Sequence, residues 1–251
     1  MTSPPVKSAD RTLEVLEVLA ASGRHTLGEL ARRLEIPKSS LHGILRTMTR
    51  RGWVETDPTG TRFGLGLRAL QVGSAYLDAD DVVSLLDDVL DRLAAEFGET
   101  VHLGRLDGAH VVYVAKRESV HPLRLYSAIG RRLPAHATAL GKALLAGRPR
   151  KEVDAALPDP LPRLTSSTIV DRAALHRELA AIRERGYAVD REENTDGIVC
   201  VARAVPVRTP PTDAISLSIP ASRVGPDTAA RVAVALAEAV NRVGAARGLL
   251  G

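Results

Sequence analysis

The tightest constraint on this chain lies between Thr26 and Arg51, in TLGELARRLEIPKSSLHGILRTMTRR. Leu27, Leu30, Ala31 and Leu34 recur at i, i+3, i+4 and i+7, the apolar stripe of one helix. Thr26, with Glu29 three residues on, makes a capping-box pattern at its start. Pro37 biases Ile36 away from the helical region and ends that run. Leu41, Ile44, Leu45 and Met48 then repeat the stripe, while Ser39, His42, Gly43, Arg46, Thr47 and Arg50 take the opposite face. The second helix carries Lys38, Arg46, Arg50 and Arg51 without a compensating acid. The plain alternative is a solvated helix of an ordinary bundle. Against it stand the uncompensated cations, the small Ser39, Ser40 and Gly43 that permit close approach, and the short helix–turn–helix spacing. Together they favour a helix laid in the major groove of duplex DNA. In that reading Lys38, Ser39, Ser40 and Arg50 hold phosphates, and His42, Arg46 and Thr47 reach base edges.

The flanks extend this pair into a winged domain. Ser8 stands as the cap of a first helix over residues 9–21, with Leu13, Leu16, Leu19 and Ala20 facing inward. After the second helix, Trp53 to Thr56 and Arg62 to Leu65 read as short strands around the turn signal Asp57-Pro58-Thr59-Gly60. Arg62 on that hairpin is placed to meet a phosphate or the minor groove.

A chain of 251 residues allows two domains, and 45% hydrophobic residues supply their cores. Residues 1–65 hold ten Lys/Arg against seven Asp/Glu, so most of the net charge of +4 sits in the first quarter. Aromatic residues make up only 3%, which argues against a single-strand or RNA binder built on stacking. Cys200 stands alone, excluding an intrachain disulfide and fitting a reducing cytosol. No leader and no membrane-spanning run is read, so a cytoplasmic protein without membrane contact is expected.

Beyond Leu65 two helices are expected, over residues 66–77 and 82–97. Short strands follow at Thr100–Arg105, Ala109–Ala115 and Leu123–Ser127, then a loop to His136 and a helix over Thr138–Ala146. Asp171 caps a helix over Arg172–Arg185. Strands at Tyr187–Arg191, Val199–Val207 and Ala214–Ile219 precede a last helix over Val224–Arg247. Strands and helices in separate runs give an α+β domain with an antiparallel sheet. The expected division is 1–66 for the DNA-binding head, 67–81 for a linker helix and 82–251 for the rest.

These residues resemble the IclR family of bacterial transcriptional regulators over nearly the whole length. The resemblance is carried by the winged head, by Gly130-Arg131-Arg132-Leu133-Pro134-Ala135-His136-Ala137-Thr138-Ala139-Leu140-Gly141-Lys142-Ala143, by Arg185 to Glu193, by Gly197 to Ala202 and by Ala214 to Ser218. It implies a GAF-like effector-binding domain, a dimer or dimer of dimers and a palindromic operator. It also implies a small organic acid or aromatic effector, with no cofactor. On the family's pattern His136, Ala139 and Leu140 lie at backbone-donor positions. Asp190, Cys200, Ser216 and Ser218 lie at polar pocket positions, and Leu123, Leu125 and Ile198 at apolar wall positions. Ala139 and Leu140 depart from the smaller residues of acid-binding members. By resemblance the regulator is a repressor released by its effector, with a ligand-dependent activator as the runner-up.

The chemistry suits these roles. First-turn amides of a helix attract a carboxylate, and Ser216 and Ser218, two apart on a strand, share a face. Asp190 equally fits a charged surface turn and Cys200 a plain core position. A cysteine-dependent enzyme is the distant alternative: Cys200 has no elbow motif or neighbouring cation in its strand. The histidines fall at no metal-ligand spacing. A second domain that only dimerises is a further reading.

Overall fold

The computed structural model describes residues 5–246. The chain divides into two compact units, Met1–Asp80 and Asp81–Gly251.

The first unit runs α1 (Lys7–Ser22), β1 (His25–Thr26), α2 (Leu27–Arg33), α3 (Lys38–Arg50), β2 (Val54–Thr56), β3 (Arg62–Leu65) and α4 (Leu67–Asp78). The capping box forms: Glu29 N donates to Thr26 Oγ1 at 3.2 Å and Thr26 N to Glu29 Oε2 at 2.7 Å. The strands make an antiparallel sheet in the order β1-β3-β2. Asp57 organises the wing turn, its Oδ1 accepting from the amides of Thr61 at 2.9 Å and Arg62 at 3.0 Å. Val15, Leu19, Leu30, Ile36, Leu41 and Leu45 lead the core. The first helix departs from its expected frame. It begins at Lys7 after Val6, Ser8 lies inside it, and Leu13 is 58% exposed. Val15 and Leu19 are its buried residues, because the stripe that meets α2 and α3 starts two positions later than a Leu-only count places it.

The second unit runs α5 (Asp81–Phe97), β4 (Thr100–Asp107), β5 (His110–Arg117), β6 (Arg132–Pro134), α6 (Ala139–Ala146), α7 (Arg150–Ala156), α8 (Arg172–Arg185), β7 (Ala188–Arg191), β8 (Ile198–Val205), β9 (Asp213–Pro220) and α9 (Thr228–Ala246). Its strands form one antiparallel sheet, β6-β5-β4-β9-β8-β7. The central strand β9 is buried along its whole length, so both faces of the sheet are covered there. Alternate residues serve the two faces. Ala188, Ala202 and Ala214 pack with α6 and α8 in one cluster, and α5 and α9 contact β4, β5, β8 and β9. No helix among the described residues is long and apolar enough to cross a membrane.

Three expectations fail here. Residues 123–127 form no strand, because β6 takes the outer edge of β5. Their carbonyls turn to side chains instead: Lys116 Nζ donates to Ser127 O at 2.6 Å and Arg223 Nη2 to Leu123 O at 3.0 Å. The helix α7 was not foreseen; its seven residues are too few to display a period. The last helix begins at Thr228, whose Oγ1 accepts from Gly225 N at 2.8 Å, and Val224 is extended. Arg247, its expected end, lies outside the described residues.

Candidate functional site

The DNA-facing candidate is the outer surface of α3. Leu41, Leu45 and Met48 are buried, which leaves Lys38, Ser39, Ser40, His42, Arg46, Thr47 and Arg50 exposed together. Pro37 precedes the helix and offers no side-chain cap, so the amides of its first turn stay available to an anion beside the Lys38 ammonium. None of Lys38, Arg46, Arg50 and Arg51 forms an ion pair among the described residues. Thr47 Oγ1 donates to Gly43 O at 3.0 Å, a bond within the helix that leaves its methyl group outermost. Arg62 on β3 is exposed, with its guanidinium 3.4 Å from Arg24 O.

In the second unit the sheet register assembles a polar row. Asp190 pairs with Cys200, Cys200 with Ser218 and Ser218 with Thr100, across four strands. Directly paired residues share a face. The next row on that face holds Ala188, Ala202, Ser216 and His102. The start of α6 packs over these rows. Thr138 caps it, Oγ1 accepting from Gly141 N at 3.0 Å. A Cβ at Gly141 would come within 2.2 Å of Ala135 O, so only glycine lets the helix start lie this close to the preceding loop. Between helix and sheet lies a cavity of about 20 Å³. Leu125, Ala139, Leu140, Asp190, Ile198, Cys200 and Ser216 border it, with Tyr113, Leu133, Thr138, Asn194 and Thr195. As folded it has room for about one water.

The surroundings are polar and buried. Asp190 is buried, its Oδ1 accepting from Glu193 N at 2.7 Å. Burial, with the Glu193 charge adding to it, pushes its carboxyl up to about 7 against opposing backbone hydrogen bonds. Lys142 is buried and donates to Glu193 Oε1 and, at 2.7 Å, to Val189 O, so its charge is taken up within the protein. Burial also raises the Cys200 thiol well above its ordinary value, and the thiol donates to Ser218 Oγ at 3.3 Å. Burial and the Asp190 charge outweigh the Lys142 ammonium, so the thiol stays protonated. His102 stacks on Tyr113 at 4.2 Å between ring centroids, and burial lowers its pKa to about 3. Among the described residues no three His, Cys, Asp or Glu side chains stand together as a metal site.

Residues 8–58 match the family model of the IclR helix-turn-helix domain, and residues 74–245 that of the bacterial transcriptional regulator IclR C-terminal domain. The chain belongs to the IclR family. It is 35% identical over 226 residues to the HTH-type transcriptional regulator XynR of Escherichia coli, covering 88% of this chain and 89% of that one. It is 33% identical over 248 residues to the transcriptional repressor IclR of Escherichia coli, covering 97% and 90%. Among solved structures, an IclR transcriptional regulator from Alicyclobacillus acidocaldarius matches with a TM-score of 0.85 at 28% identity, covering 96% of this chain and 99% of that one. An IclR-family chain of this kind is a DNA-binding transcriptional regulator with an effector-binding C-terminal domain, not an enzyme.

Within this IclR regulator the structure separates the expected pocket residues. Leu123 lies away from the cavity, 64% exposed on the loop that was expected to be a strand. His136 sits in a turn before Thr138, not in the first turn of α6, and its Nε2 donates to Pro162 O at 3.0 Å. Ser218 is in the polar row but one position beyond the cavity, bonded to Cys200 and 3.4 Å from His102 Nδ1. Tyr113, Leu133, Thr138, Asn194 and Thr195 were not foreseen as lining. Leu133 and Thr138 fall within the quoted motif; Tyr113 is brought in only by the register of β5 on β4.

Proposed function

We propose that this regulator is a dimer that seats two copies of α3 in successive major grooves of a palindromic operator, roughly 34 Å apart. Lys38, Ser39, Ser40 and Arg50 anchor phosphates, Arg46 and His42 with the Thr47 methyl read bases, and Arg62 touches the backbone beside the wing. The observation that carries this reading is the exposure of Lys38, Arg46 and Arg50 along α3, with Arg51 at its C-terminal cap, none of them in an ion pair among the described residues. Residues 67–81 act as the linker, and the apolar face of α4 supplies a dimer contact. A partner of this kind, chromosomal DNA, places the protein in the cytoplasm. The effector is a small organic acid or aromatic compound held between the first-turn amides of α6 and the Asp190, Cys200 and Ser216 side chains. A ligand larger than water needs the cavity to widen, and Leu140 on its border is the side chain proposed to move. The reading as a repressor released by ligand is supported by the named repressor among its relatives.

Arg46→Ala tests the base-reading role. The variant is expected to lose about 1–3 kcal/mol of preference for operator over scrambled duplex in a binding titration. Equal weakening on both duplexes would sink the assignment. Lys38→Ala is expected instead to lower the salt slope by about one.

A further inference from the structure

A groove of about 1120 Å³ crosses the second unit and shares no lining residue with the effector cavity. One wall is a single face of α8, where Ala173, His176, Arg177, Ala180 and Arg183 recur at helical spacing. The alanines keep this wall low over ~15 Å of helix, at about 1.5 Å per residue. Arg148 approaches from the turn after α6, Arg150 from the start of α7, Arg203 from β8, and Val240 with Asn241 from α9. Five arginines therefore border the groove, and none of the described residues lining it is acidic.

Three of these guanidinia, those of Arg148, Arg183 and Arg203, are held in place by carbonyls. Arg183 Nη1 donates to Ala146 O at 3.1 Å, Arg203 Nη1 to Gly186 O at 3.0 Å and Arg148 Nη2 to Pro211 O at 3.3 Å. Asp154, outside the lining, engages His176 at 2.8 Å and Arg150 only at 3.8 Å. Tying helix ends accounts for one N–H each of Arg183 and Arg203, and a guanidinium has five. It does not account for Arg177, which is exposed on the groove wall and forms no hydrogen bond or ion pair among the described residues. The polar side chains are donors almost throughout. Such a rim suits a ligand whose polar groups only accept, and fixed guanidinium forks match phosphate oxygens. The floor of Ala143, Val153, Leu179, Ile182 and Ala204 adds room for an apolar body.

We propose that this groove is a second ligand site, for a small phosphate-bearing anion. It does not depend on the assignment of the effector cavity. The test is calorimetry on the full chain with sodium pyrophosphate, ATP and citrate as probes. ATP and pyrophosphate are expected to bind with Kd below about 1 mM, and citrate more weakly. Arg177→Glu should weaken ATP binding roughly tenfold or more, with an unchanged melting temperature because Arg177 is an exposed helix residue. Arg203→Gln should act in the same direction, while Ser216→Ala in the effector cavity should leave ATP binding as it is. No heat in that range, equal ATP affinity in Arg177→Glu and the parent chain, or a preference for citrate would each overturn the proposal. Phosphates can also come from the DNA backbone. If Arg177→Glu weakens binding of a scrambled duplex while ATP does not bind at all, the groove serves DNA and the small-ligand reading is wrong.

Discussion

Lys142 carries an ammonium group into the interior of the effector domain, where it meets Glu193 and the carbonyl of Val189. Breaking such a pair from one side leaves an uncompensated buried charge, which costs about 3–5 kcal/mol. Lys142→Met is therefore expected to lower the stability of the domain by about that amount in urea titration, and Lys142→Met with Glu193→Gln to recover part of it. Asp190 contributes in the opposite sense. Its carboxyl is raised in the folded chain, from an ordinary 3.8 to about 7. A raised group favours folding at low pH, and that contribution is lost as pH rises through the folded value. Asp190→Asn, which keeps an oxygen for the Glu193 amide, is expected to be more stable than the parent at pH 8. The difference should shrink toward pH 5. A pH-independent difference between the two melting curves would show that Asp190 does not titrate in this range. Asp190 was legible in the sequence as part of a motif, but Lys142 in the same set of motifs was not singled out. Nothing in GKALLA indicates that its ammonium ends against a glutamate 51 positions later.

At the scale of elements, local chemistry decided the head. The Thr26 and Glu29 capping box and the Asp57 turn each act within a few residues and form as their spacing predicts, whereas α2 ends at Arg33, ahead of Pro37, which precedes α3. Thr26→Ala removes the side chain that accepts from Glu29 N and is expected to cost about 1 kcal/mol. Trp53 is the chain's single tryptophan and packs against the head core, so its fluorescence during thermal unfolding reports that loss. Where partners come from afar the local reading failed. Leu123 to Ser127 has strand composition, yet the edge it would need is occupied by β6. Leu13 has the right residue type for the stripe of α1 and the wrong angular position.

For the whole molecule the exposed helix α4 is the element that matters for assembly. It buries none of its residues, and Leu67 and Leu70 are 73% and 65% exposed. In the dimer proposed above, a contact there would link the two heads and raise the effective concentration of the second for its half-site. Leu70→Glu is expected to shift the sedimentation of the protein toward the monomer. It should also weaken binding to a two-half-site operator about tenfold or more while sparing a single half-site. An unchanged sedimentation coefficient would remove α4 from the interface.

The sequence by itself determined a winged helix-turn-helix head, because stripes, caps and turns are short-range and leave periodic marks. It also determined the family, through motifs that stand in order along the chain. The tertiary structure decided which of the motif residues meet. Antiparallel register set Asp190 beside Cys200 and Cys200 beside Ser218, and the close approach at Gly141 brought Leu140 over them. The size of the cavity and the arginine groove follow from such long-range placements, which carry no period and so leave no trace in the order of residues.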